Sequence, residues 1–167
     1  MLDPFWFTNE KMRGPGGRGN KPDSASRERP ADSETALSDA GWTMTLGREQ
    51  YDWLAHSLDA SRAKYTFVFI HHLVAGLGRA SRGGIDAAPY FEWGGKNADG
   101  SDGFADHRPG WPMPIHQLLA KHHVSAVFHG HDHLYVHETL DSTHYQCVPQ
   151  PGNIAGGTRS AADYGYH

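Results

Sequence analysis

The apolar positions of this chain gather into a few short blocks set between long polar stretches. Thr45–Ser61 has the clearest period. Tyr51, Leu54 and Leu58 recur at helical spacing with Trp53 beside them, which predicts an amphipathic helix whose stripe packs into a core. Thr45 is placed to cap this helix, Glu49 sits in the first turn where the helix dipole favours an acid, and Asp59-Ala60-Ser61 closes it. Tyr65–Ile70 follows as an apolar run of strand length. A short helix over Ile115–His122, with Ile115, Leu118 and Leu119 inward, precedes a second buried strand at Val124–His129. Leu134–Leu140 and His144–Val148 alternate loosely and predict a hairpin across Asp141-Ser142. Helix, short link and buried strand make an αβ unit, so the expected class is α/β, organised around Lys64–Leu134.

The stretches between these blocks carry less order. Residues 8–42 are dense in Gly, Pro, Ser and Asp without a period, which reads as a loop or a disordered segment. Gly14-Pro15-Gly16-Gly17-Arg18-Gly19 matches a dinucleotide-binding pattern literally, but no strand closely precedes it and Pro22 interrupts the residues after it, so a linker is expected instead. Leu2-Asp3-Pro4-Phe5-Trp6-Phe7 reads as the tail of a strand and the turn after it. Residues 1–44 are therefore a linker with the remnant of a strand, 45–151 the main unit and 152–167 an irregular tail, and both ends look like those of a fragment. Within the main unit, 73–114 is long, irregular and rich in glycine. Its aromatics Tyr90, Phe91, Trp93, Phe104 and Trp111 argue against disorder. They suit a lid-like loop, or a loop packed onto the sheet, and packing is the expectation for Phe91 and Trp93.

Composition narrows the partners. Apolar residues make up 38% of 167, low for a compact domain and in keeping with long polar loops. The net charge of −4 comes without a block of like charges, which argues against a nucleic-acid footprint and a polybasic membrane patch. No run reaches membrane-spanning length, and Met1 is not followed by a signal-peptide pattern. The compartment stays open, since a secreted or periplasmic location would need a longer amino terminus. The single Cys147 excludes an intrachain disulfide and a cysteine zinc site.

The compositional outlier is histidine, with 13 residues. Both buried runs stop on histidines: Phe67-Val68-Phe69-Ile70-His71-His72 and Ala126-Val127-Phe128-His129-Gly130-His131-Asp132-His133. The carboxyl ends of strands are where α/β folds place ligands. Neutral imidazole suits zinc, iron and manganese. His131 and His133, two apart, point to one side if strand alternation continues, and Gly130 lets the backbone turn tightly before them. His71 and His72 are adjacent, so one of them reaches such a site while the other packs, supports it or faces a substrate. These residues read as half of a metal site.

The run from Thr45 to Pro151 resembles the carboxyl half of a calcineurin-like metallophosphoesterase, the superfamily that includes purple acid phosphatases. Leu46-Gly47-Arg48-Glu49-Gln50-Tyr51-Asp52-Trp53-Leu54 is similar to the family's helix before the histidine strand. Phe67–His72 is similar to its single-histidine motif, and Val127–His133 contains its Gly-His-x-His motif, with Tyr135 as the usual continuation. The resemblance implies a four-layer α/β/β/α sandwich, of which this chain supplies mainly one sheet. It also implies hydrolysis of phosphate esters by a centre of two zinc, iron or manganese ions. His71 and His131 would bind one ion and His133 the other, and His72 would lie close to the substrate phosphate in a catalytic role. The family's Asp-x-His, Gly-Asp-x-x-Asp and Gly-Asn-His-Asp/Glu motifs do not occur in the chain, and Asp3 stands on none of them. Without the bridging carboxylate, fewer ions and weak or no hydrolysis are expected of this chain alone. An exposed sheet face open to self-association is expected too.

Two other readings stand beside this one. His129-x-His131-x-His133 has the spacing of the histidine-triad nucleotide hydrolases, although Gly130 and Asp132 stand where that motif is apolar. A non-enzymatic binding module would use the loop at Phe91-Glu92-Trp93-Gly94-Gly95 to cover a partner, with the histidines around one structural ion. Two bound ions favour the phosphoesterase centre, and one favours the module.

Overall fold

The structure, a computed structural model, describes residues 1–4, 39–75 and 84–150. The glycine-rich hexad at 14–19 and the tail at 152–167 lie outside the described residues.

Helix α1 spans Arg48–Ala60 and buries Tyr51, Leu54 and Leu58, the stripe its period requires. Its amino-terminal cap differs from expectation. The capping position is Gly47, at φ 77°, and no side chain caps the helix. Thr45 turns its hydroxyl to accept the Gly47 amide at 2.9 Å instead, one step too early to reach the first turn. A positive φ at that corner suits glycine, which carries no Cβ.

Strand β1 is Phe67–Phe69. The stretch after it contains two single-turn helices, α2 at Phe91–Gly94 and α3 at Phe104–His107, before α4 at Ile115–Lys121. Strand β2 is Ala126–His129, and β3 at Val136–Leu140 turns through Asp141 and Ser142 into β4 at Thr143–Cys147. The sheet order is β1-β2-β4-β3, with β3 antiparallel to β4 and the other pairs parallel. This is a mixed α/β arrangement with the expected hairpin at its edge. Leu2 forms a parallel bridge to Ile70, donating its amide to the Phe69 carbonyl at 2.8 Å, so the opening residues run along β1 as the tail of a strand would.

Among the described residues, the sheet is covered on one side. Val68, Val127 and Tyr145 join one core with Tyr51, Leu54 and Leu58 of α1 and with Ile115, Leu118 and Leu119 of α4. On the other side Phe67 and Phe69 remain 53% and 50% exposed and pack only partly, against Phe128 with ring centroids 6.0 and 5.1 Å away. Half-exposed aromatics clustered on a sheet are unusual for a face that needs no further cover.

Residues 84–114 contribute to the core. Trp93 is fully buried and donates its indole N–H to the Tyr145 hydroxyl at 2.9 Å, so the packing expectation for the aromatics holds at this position. Glu92, also fully buried, accepts the Leu46 amide at 2.7 Å and pairs with the Arg108 guanidinium. Arg108 in turn donates to the carbonyls of Trp42 and Met44. This pair ties the stretch to residues 39–43, which form a 3₁₀ helix rather than the irregular loop expected there. The reason is tertiary. Gly41 lies against the Phe91 ring so closely that a Cβ would meet it at 2.2 Å, and Trp42 is buried beside it.

Candidate metal site at the ends of β1 and β2

Strands β1 and β2 are parallel and in register, Phe69 opposite Phe128, so the residues just beyond both strands leave the sheet at one end. The Gly130 amide donates to the His71 carbonyl at 2.9 Å and locks the two exits together. The side chains meet as well: His71 Nε2 lies 3.2 Å from His131 Nδ1. His72 completes a triangle of rings, with centroids 5.6 Å from those of both His71 and His131.

The backbone that presents His131 is not the one expected. Gly130 is not at positive φ, and a Cβ there would make only ordinary contact, 3.7 Å from the His71 carbonyl oxygen. The left-handed positions are the histidines themselves, His131 at φ 75° and His133 at φ 59°. Such values are uncommon for residues with a Cβ and collect at functional sites. They also end strand alternation, so two-residue spacing does not set where these rings point. His131 reaches His71, whereas His133 is exposed and makes no ring contact with the triangle among the described residues.

The three close rings differ in character. His71 is exposed and His131 half-buried. His72 is fully buried, and its Nδ1 lies 2.8 Å from the Leu73 carbonyl. A carbonyl only accepts, so Nδ1 carries a proton. His129, which the triad reading needs beside His131, lies on the covered side of the sheet. Burial outweighs a backbone hydrogen bond at Gly130 and pushes its pKa down to about 4, which keeps this ring neutral.

Could the pair hold an ion? Two nitrogens each bound at about 2.0–2.1 Å with an angle near 100° at the ion stand about 3.1–3.2 Å apart. The His71–His131 separation has that bite. The fit stops at two donors, since no group of three or more His, Cys, Asp or Glu suited to a metal ion occurs among the described residues. A groove of ≈ 580 Å³ opens beside the pair, lined by Asp3, Phe69, His71, Phe128, His129 and Val148. Asp3 thus shares a groove with His71, though it belongs to no motif. Gln50 sets that placement by accepting the Asp3 amide at 2.6 Å and donating to its carbonyl at 2.9 Å.

No protein-family model matches the chain, and a search of curated proteins finds no similar sequence. No helix among the described residues is long and apolar enough to cross a membrane.

Sequence reasoning passed over the buried Glu92–Arg108 pair and His116. The Glu92–Arg108 pair had no signal, being 16 residues apart in a glycine-rich stretch. His116 stands in a short amphipathic helix where an apolar residue would fit equally well, and only its partners in space explain it.

Proposed function

We propose that this chain carries part of a metal-dependent phosphoesterase centre, with His71 and His131 as two ligands of one ion. The observation that supports this reading most is the 3.2 Å approach of their ring nitrogens at the shared end of two parallel strands. A bound zinc, iron or manganese ion would supply electrophilic stabilisation of charge on a phosphoryl oxygen. His133, exposed at the same loop, would serve a second ion of the two-metal centre, and the whole would belong to a four-layer sandwich.

The chain's own residues set the conditions for this. Phe69, Phe128 and Val148 give the groove beside the pair an apolar wall, which strengthens electrostatic interaction within it. His72, fully buried and held through Nδ1 at the Leu73 carbonyl, backs the pair with its ring centroid 5.6 Å from both. The substrate class is a phosphate ester. Hydrolysis by this chain alone would be weak, because three histidines bring no negative charge to offset that of two ions.

The test uses the full chain with zinc or manganese, p-nitrophenyl phosphate as substrate and orthovanadate as competitor. Slow, chelator-sensitive hydrolysis is expected, together with vanadate binding, and both should fall at least about tenfold in His71→Ala and in His131→Ala, the loss of one or more kcal/mol of stabilisation. Hydrolysis and vanadate binding indifferent to both substitutions would overturn the reading. One bound ion lost with either substitution, without any vanadate binding, would favour the non-enzymatic module.

A further inference from the structure

The β3–β4 hairpin holds a second pair of histidines, on strands remote in order from β1. Register places Thr139 opposite His144 and His137 opposite Gln146. Residues paired in register share a face, so His137, Thr139, His144 and Gln146 all lie on one side of the hairpin, and His137 and His144 are diagonal neighbours across it. Both are exposed. Their ring centroids are 5.1 Å apart and their planes 27° from parallel.

We propose that His137 and His144 form a binding site for one divalent cation of the zinc, nickel or copper class, clipped across the hairpin. The spacing is the first argument. Imidazoles bound through nitrogen at about 2.0–2.1 Å to one ion, with about 90–109° at the ion, have centroids about 4.5–5.2 Å apart. The pair stands at that distance already, and rotation of the His137 ring alone, about the broad terminal torsion of histidine, is needed to turn its nitrogen toward the one that His144 presents.

The second argument is ring orientation. Thr139 Oγ1 lies 3.0 Å from His144 Nδ1. When Nδ1–H donates to this hydroxyl, the lone pair is left on Nε2, the arrangement in which a histidine is poised to ligate. The third is rigidity. The two residues of the turn, Asp141 and Ser142, are both left-handed, at φ 47° and 65°, which joins the strands in two residues and fixes their register. Asp141 is also held by His116 Nε2 at 2.9 Å, so the hairpin is tied to α4 and does not have to order itself around an ion. Two protein donors on an exposed face leave the remaining positions to water. Borderline ions that accept imidazole are therefore favoured over calcium or magnesium, which require oxygen ligands.

Calorimetric titration of the full chain with Zn²⁺ and with Ni²⁺ tests this, in the unsubstituted chain and in the His71→Ala/His131→Ala variant. The doubly substituted chain is expected to keep one ion, and further substitution by His137→Gln or His144→Gln should weaken that ion at least tenfold. Thr139→Val, which preserves strand propensity, should weaken it severalfold by releasing the ring. Ni²⁺ should raise the melting temperature of the doubly substituted chain, and His137→Gln in that background should abolish the rise. If the ion retained by the doubly substituted chain survives both His137→Gln and His144→Gln, or if that chain binds none, the proposal fails. The outcome is separable from the phosphoesterase reading, which depends on the ion lost with His71 and His131.

Discussion

His116 and His131 show what two ends of one sheet do with the same residue type. Toward the amino end, His116 is buried in α4 with both nitrogens engaged: Nδ1 lies 2.7 Å from the Tyr145 hydroxyl and Nε2 lies 2.9 Å from Asp141 Oδ2. The protons can be traced. Trp93 donates to the Tyr145 oxygen, so Tyr145 gives its own proton to His116 Nδ1, and the His116 Nε2–H goes to Asp141. Burial raises the Tyr145 pKa, which keeps the phenol protonated and the chain of donors intact. At the carboxyl end, two ring nitrogens face each other at 3.2 Å on a loop with left-handed residues. Each neutral imidazole carries one N–H and one lone pair, so this contact is an N–H···N hydrogen bond whose direction depends on the tautomer. The first end is closed by a chain of donors and acceptors, and the second, where two rings meet at the shared exit of two strands, is where we propose an ion.

The sharpest way to break this comparison is Trp93→Ala. Removing a fully buried indole that also donates to Tyr145 is expected to cost about 3–5 kcal/mol, measured by urea unfolding. A cost below about 1 kcal/mol would mean that residues 84–114 act as a removable cover, the lid-like role, and that the amino end is not the stabilising one.

Acid gives the next largest effect, and it separates a buried ring from the exposed ones. His129 titrates at about 4 when folded because burial disfavours its charged form, against about 6.5 when unfolded. The unfolded chain therefore binds this proton first. The stability due to a neutral His129 is complete above about pH 6.5 and is lost as pH falls toward 4, by about 3 kcal/mol over the window. Chemical unfolding at pH 7 and at pH 4.5 should show this loss, and His129→Gln should flatten the difference. A slope unchanged by His129→Gln would place the acid sensitivity in other groups.

Much of the frame was legible in the chain because it follows from local periods. The stripe of α1, the apolar runs of β1 and β2 and the alternation of the hairpin each state their own structure. The meeting of His71 with His131 was legible for a related reason, since both follow the ends of runs that pair in parallel. What was hidden depends on distant atoms. Gly47 takes the capping position from Thr45, and Gly41 folds against Phe91, which lies 50 residues later in the chain. The left-handed backbone at His131 and His133 was hidden as well. Histidine is among the few residues with a Cβ that are enriched there, but nothing local says which histidine adopts it, and the surrounding structure decides.

That imposed backbone makes the smallest and most discriminating prediction. A left-handed residue with a Cβ carries strain of about 1 kcal/mol, which glycine relieves while adding freedom to the unfolded chain. The two effects oppose each other, so His131→Gly should change unfolding stability by less than about 1 kcal/mol in either direction. The same substitution deletes one of the two nitrogens in the His71–His131 pair, so its ion should be lost while the ion at His137 and His144 is kept. Fold and ligand would then respond in opposite measure to one residue, the reverse of Trp93→Ala. If His131→Gly instead destabilised the chain by several kcal/mol, His131 would be a packing residue like His116. The two ends of the sheet would then not differ in kind.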